Sequence, residues 1–129
     1  MSYKFKKHYT IEEARALLPL VRRWFDELER LRREIPERDS SLKPAIQEGR
    51  DIGGHMVNEG IKAIAEVKDL LSEFDVREIQ IKDLDRGLID FPAVINGKEV
   101  FLCWERDEAD IEFWHDIDAG YAGREKLEE

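Results

Sequence analysis

The sequence predicts an α+β fold, a long antiparallel helical hairpin packed on a small three- to four-stranded antiparallel β-meander. Three observations predict it. Apolar residues recur at helical spacing through the first half of the chain, the pattern changes to strict alternation after Phe74, and Asn96-Gly97 sits between two alternating runs. At 129 residues the chain has the length of a single domain, with the hairpin over 10–74 and the meander and a C-terminal turn over 76–124.

The first helix begins at Thr10-Ile11-Glu12-Glu13, a capping box in which the Thr10 hydroxyl and the Glu13 carboxylate satisfy each other's backbone amides. Ile11, Ala14, Leu18, Val21, Phe25, Leu28 and Ile35 then form one apolar stripe. Pro19 inside it predicts a kink or a tightened first turn, and Pro36 with Ser40-Ser41 marks the end. A second helical pattern covers about 42–74, with Ala45, Gly49, Gly53, Met56, Gly60, Ala63, Val67, Leu70 and Phe74 on its stripe. Glycine costs a helix about 1 kcal/mol relative to alanine. The small residues therefore suggest a groove filled by Phe25 and Leu28 of the first helix. A break at Gly53-Gly54 is the rival reading.

Val76, Ile79 and Ile81 suggest a short strand, and Asp85-Arg86-Gly87 a turn. Asn96-Gly97 is the favoured pair for a two-residue type I′ hairpin, joining Ile89–Ile95 to Lys98–Trp104. Pro92 has no amide to donate, so it belongs at an edge or faces outward. The turn fixes the register by counting back: Ile95 faces Lys98, Phe91 faces Leu102, Asp90 faces Cys103 and Ile89 faces Trp104. Ile89, Phe91, Ala93, Val100, Leu102 and Trp104 form the core face. Asp90, Pro92, Val94, Glu99, Phe101 and Cys103 form the other, most simply read as solvated. A last strand over 111–117 is expected to bury Ile111, Phe113, His115 and Ile117 on the Trp104 side, with Glu112, Trp114, Asp116 and Asp118 outside.

Composition narrows the function classes. Charged residues make up 40% and the net charge is −9, which disfavours nucleic acid or an anionic membrane as partner. Basic residues concentrate in 1–50 and acidic ones after Glu105, an asymmetry that suggests two solvated faces or head-to-tail association into a homo-oligomer. Many Lys, Arg and Glu with two Asn and two Gln fit a thermophilic source. A single Cys excludes an internal disulfide. No apolar run reaches the roughly 20 residues of a membrane span. Nor does an apolar stretch follow the first residues as in a signal peptide, so the expected setting is cytoplasmic.

Chemistry-bearing residues gather near the C-terminus. In the expected register, Asp90, Cys103 and Glu112 form a row whose carboxylates, roughly 10 Å apart, are too far apart to share a proton, so that they either hold a hard cation through water or simply face solvent. His115 has Asp116 and Asp118 beside it in sequence and Glu108 on the preceding loop. A His with carboxylates is a divalent-metal motif and also a general-base motif, while a structural His bonded to a carbonyl is the simpler reading. His55 has Asp51 and Glu59 one helical turn away on either side, a pattern usual for a polar helix face. In Asp118-Ala119-Gly120-Tyr121-Ala122-Gly123-Arg124, the flexible turn and terminal Arg124 suggest an anion nest or a bridge to a nearby carboxylate.

Several motifs resemble those of an uncharacterised bacterial family, catalogued as domain of unknown function 2203. They are Thr10–Pro19, Gly87–Pro92, Leu102-Cys103-Trp104, Glu108, Phe113-Trp114-His115 and Ala119–Arg124. The likeness covers nearly the whole chain and is weakest over 36–60. Tyr121 stands where the pattern suggests Phe, and Asp107 where it suggests Gly. The resemblance implies no activity, substrate or cofactor. It does draw attention to Asp90, Trp104, Glu108, His115 and Arg124.

The expected function is thus a small cytoplasmic binding module for an unidentified small ligand. Asp90, Trp104, Glu108, His115 and Arg124 are its binding residues, and His115, Glu108 and Asp118 the ligands of a divalent metal ion. The alternative is a structural protein that self-associates or binds partners through its helical hairpin. An acid–base hydrolase lacks a nucleophile with a partner.

Overall fold

A computed structural model describes residues 3–34 and 55–128, with backbone only for 55–59. The architecture is α+β. Helix α1 spans Ile11–Glu34 and α2 His55–Asp75, followed by strands β1 Gln80–Asp83, β2 Leu88–Ile95, β3 Lys98–Glu105, β4 Phe113–Asp116 and β5 Glu125–Lys126. All five strands belong to one antiparallel sheet in chain order, a meander with one strand more than expected. The chain divides into two compact units, residues 1–22 with 73–129 and residues 23–72.

In the sheet unit, the first turn of α1 is capped as anticipated. The Thr10 amide donates to the Glu13 carboxylate at 2.9 Å, and the Glu13 amide to the Thr10 hydroxyl at 3.0 Å. Ala14, Leu18 and Val21 of this part of the helix are buried. So is the whole expected core face of the sheet: Ile89, Phe91, Ala93, Val100, Leu102 and Trp104. Each of the large side chains among them contributes roughly 1.5–3 kcal/mol of burial. Tyr9 packs edge-on against Phe91, and the Arg22 guanidinium lies over the Trp104 ring.

In the second unit, Trp24, Phe25, Leu28 and Leu31 of α1 are buried, a broader stripe than the spacing alone marked. Arg30 reaches Glu66 of α2 at 3.9 Å, and Ala63 of α2 is buried. The expected contact of Phe25 and Leu28 with Gly49 and Gly53, the Gly53-Gly54 break, and the Asp51–His55–Glu59 pattern lie outside the described residues or side chains.

The hairpin follows its turn. Asn96 and Gly97 both have positive φ, 53° and 79°, as a type I′ turn requires. The register is the one counted back from it, including Asp90 opposite Cys103. The first strand differs from expectation, because Val76 falls in the turn after α2 and is 70% exposed. Pro92 is buried in β2 beyond the reach of β1, and its carbonyl accepts from the Tyr9 amide at 2.8 Å.

The β3–β4 register overturns one expectation. Phe113 lies opposite Cys103, Trp114 opposite Leu102 and His115 opposite Phe101, one residue away from the anticipated pairing. A one-residue shift exchanges the two faces of a strand. His115 therefore leaves the Trp104 side and joins Asp90, Phe101 and Cys103. Glu112 is exposed and lies outside that row. The cause is local: Ile111 is fully buried but precedes the ladder, so the alternation expected from Ile111 through Ile117 does not hold across Glu112.

Most of the second sheet face is not solvated, Val94 near the hairpin turn being the exposed exception. Asp90, Phe101, Cys103 and His115 are each no more than 2% exposed. Residues 3–9 are strapped to this part of the unit by two carboxylates. Glu99 accepts from the Lys4 and Phe5 amides and bonds His8, while Glu78 accepts from the Lys6 and Lys7 amides. Phe5 packs on Phe101, which packs in turn on His115.

Candidate functional site

The face covered in this way carries three groups of metal-ligand type. Asp90 comes from β2, Cys103 from β3 and His115 from β4, and their ligand atoms all lie within 4.8 Å of one another. The hairpin register sets Asp90 beside Cys103, and His115 reaches diagonally across β3. Its Nε2 is 3.0 Å from each Asp90 carboxylate oxygen.

The other ring nitrogen fixes the tautomer. His115 Nδ1 is 2.8 Å from the Asp116 carbonyl, which can only accept, so Nδ1 carries a hydrogen. Nε2 is then the nitrogen free to ligate. In the metal-free cluster one proton lies between Nε2 and Asp90, on either partner, because a bare lone pair would repel a carboxylate. A histidine whose far nitrogen donates to a carbonyl is the usual arrangement behind a metal-ligating imidazole.

Burial is the largest influence on Asp90. It raises the carboxyl pKa above the ordinary range, against the opposing pull of His115, Cys103 and Lys82. Burial, reinforced by the Asp90 charge, also pushes the Cys103 thiol up to about 12. Such a thiol is a poor nucleophile near neutral pH, since the thiolate is the reactive form. A bound cation reverses that preference, because a coordinating thiol ionises.

Zinc bond lengths of about 2.0–2.3 Å put neighbouring tetrahedral ligand atoms roughly 3.3–3.8 Å apart. The cluster's ligand atoms, with Nε2 3.0 Å from the Asp90 oxygens and all within 4.8 Å of one another, bracket that spacing. Its nitrogen, oxygen and sulfur donors suit zinc or a similar borderline cation.

A second network adjoins the first. The Arg124 guanidinium grips Glu108 with two 3.0 Å bonds and approaches the Cys103 sulfur at 3.9 Å. It lies between the rings of Phe113 and Tyr121, at 3.8 and 4.3 Å from their centroids. Glu108 also accepts from the Glu105 amide, and its carbonyl accepts from the Trp104 indole. These bonds tie the 106–111 loop and the C-terminal turn to the end of β3. Arg124 thus bridges to a carboxylate, as one of its two expected readings had it.

The residues singled out from sequence separate into groups. Asp90 and His115 are in contact. Glu108 and Arg124 pair with each other beside them, and Trp104 occupies the core face, joined to Glu108 through its backbone. Asp118 is exposed, and neither it nor Glu108 belongs to the cluster at ligand spacing among the described residues. Cys103 completes the cluster. Sequence reasoning had placed it beside Asp90 but with Glu112, and the register shift separates the two readings. Lys82 went unnoticed. It lines, with Leu88, Gly120 and Tyr121, a cavity of about 160 Å³ that opens on Asp90, Cys103 and His115. Only alternation along β1 hinted at it, and an irregular step in the pairing between Ile81 and Asp83 disrupts that alternation.

A family profile described as an uncharacterized conserved protein, DUF2203, matches residues 7–127. The chain belongs to this family. The match takes in the last residues of the strap, both helices, the sheet and the C-terminal turn, so the cluster and the Arg124 network lie wholly inside the family domain. No curated protein and no solved structure matches the chain.

Proposed function

We propose that this DUF2203 member is a small metal-binding module whose ligands are Asp90, Cys103 and His115. The observation that carries the reading is the convergence of three buried ligand-type groups from three strands, with the His115 tautomer set by the Asp116 carbonyl. The donor set favours zinc. Two anionic ligands, the thiolate and the carboxylate, would neutralise a divalent ion, which lessens the cost of holding these groups away from water.

Isothermal calorimetry with zinc on the chelator-treated protein tests this. One equivalent is expected to bind. His115→Ala and Cys103→Ser should each weaken binding by roughly 100-fold or more, beyond what loss of an outer partner does. Absence of heat in the wild type would end the metal reading. Loss in Asp118→Ala with retention in Cys103→Ser would transfer it to the other ligand set, His115, Glu108 and Asp118.

A reducing, cytoplasmic setting accords with this proposal, because the only Cys in the chain would serve as a thiolate ligand. No described helix is long and apolar enough to cross a membrane. Self-association through the helices has less behind it. Among the described side chains of α1 and α2, Ile61 is the one large apolar group that stands exposed. A specific interface needs about 1,000 Å².

A further inference from the structure

Three protein ligands leave a tetrahedral cation one position short. Among the described residues no other His, Cys, Asp or Glu joins Asp90, Cys103 and His115 at ligand spacing. Structural zinc sites are closed by four protein ligands, whereas sites with three keep the fourth position for water or a bound molecule. The fourth donor must therefore come from outside the cluster.

What lies outside it is the cavity. At about 160 Å³ it is several times the roughly 30 Å³ share of one water molecule. The cluster lines it together with Leu88 and the Ala119-Gly120-Tyr121 turn. The cation at its edge is Lys82. Among the described residues Lys82 forms no ion pair, and its ammonium stands 5.0 Å from the Phe101 ring centroid, over the aromatic group that packs on His115.

Charge then selects the occupant. A divalent cation with one thiolate, one carboxylate and a neutral imidazole sums to zero. Lys82, exposed to solvent on β1, adds one positive charge at the cavity edge. An anion that enters past this ammonium gains an attraction, modest because solvent screens it, whereas a cation would be repelled.

We infer that the open coordination position takes a small oxyanion, with one oxygen on the metal and the charge balanced by Lys82. This rests on the metal-binding reading above. The Arg124–Glu108 pair has a positioning part here. It anchors the end of the turn that forms the cavity wall, and Glu108 already takes the Arg124 fork, so Lys82 remains the cation available to the ligand.

Cobalt(II) in place of zinc makes both steps visible. The full chain loaded with cobalt should show a sulfur-to-metal charge-transfer band and tetrahedral ligand-field bands. Titration with acetate and with inorganic phosphate should shift the ligand-field bands saturably for at least one of them. In Lys82→Ala the metal spectrum should persist, while the anion's apparent Kd rises about tenfold, equivalent to one modest charge interaction.

If no cobalt bands appear, the metal reading itself fails. If bands with sulfur charge transfer appear but neither anion moves them, the metal reading stands and the open oxyanion position is overturned. If the shift is identical in Lys82→Ala, the assignment of Lys82 is overturned.

Discussion

Arg124 is where the site and the C-terminal turn meet. Its fork takes both oxygens of Glu108, and its plane is held between Phe113 and Tyr121. The two charged side chains are only 13% and 18% exposed, so solvent screens the pair less than an ordinary surface bridge. Arg124→Ala and Glu108→Ala should each destabilise the fold by about 2 kcal/mol, with a coupling of about 1–2 kcal/mol in a double-mutant cycle. Arg124→Lys should recover little, because an ammonium offers neither the fork nor the stacking plane. Urea unfolding of the four variants measures this. A coupling near zero would mean that the pair is a neighbour relation without energetic content. Arg124 and Glu108 were both legible in the sequence as charged residues near the C-terminal block. That they answer each other was not, because a loop's reach cannot be counted as a strand register can.

At the scale of elements, two turns with the same backbone sign make a controlled comparison. Gly97 closes the β2–β3 hairpin with φ of +79° and open space where a Cβ would stand. Gly87 precedes β2 with φ of +66°, and a Cβ there would lie 2.6 Å from the Arg106 Cβ. Gly97→Ala should cost about 1 kcal/mol, the backbone contribution alone. Gly87→Ala should cost clearly more, at least about 2 kcal/mol, because the 84–87 turn and the start of the 106–111 loop must separate. Thermal unfolding decides it, and equal losses would show that Arg106 yields without cost. The two turns also explain what could be read in advance. Asn96-Gly97 sets its hairpin through local dihedral preference alone, so Asp90 opposite Cys103 followed by counting. The connection from β3 to β4 has no such turn. Ile111 is buried just before the ladder begins, with its carbonyl held by the Arg15 guanidinium, so burial and ladder pairing no longer share one alternation. His115 changed sheet face for that reason.

For the molecule as a whole, the N-terminal strap covers part of the second sheet face, with Phe5 on Phe101 beside His115. Its main fastener, Glu99, titrates below the usual carboxylate range. Burial alone would raise it, but His8 and the Phe5 and Lys4 amides hold it lower. A carboxylate lowered in the folded state adds stability that is complete above its unfolded pKa of about 4.3 and is lost as pH falls through the folded value. Glu99→Gln should therefore unfold several degrees below wild type at pH 7, with the difference closing toward pH 3. A gap that persists at pH 3 would mean that the loss is steric.

The sequence by itself determined the elements and one face of the sheet. The capping box, the α1 stripe, the type I′ turn and the Ile89–Trp104 core face all rest on interactions within a few residues, or on a register that a single turn fixes. Tertiary structure alone decided the site. The union of His115 with Asp90 and Cys103 depends on a one-residue choice made by the burial of Ile111. The covering of Phe101 beside that cluster depends on a strap some 90 residues away in the chain and on carboxylates that accept its amides. Lys82 enters through the pairing of β1 with β2, which sets Gln80 opposite Asp90. Each of these is a long-range packing outcome, set by which side chains fill space together, and local periodicity carries no record of it.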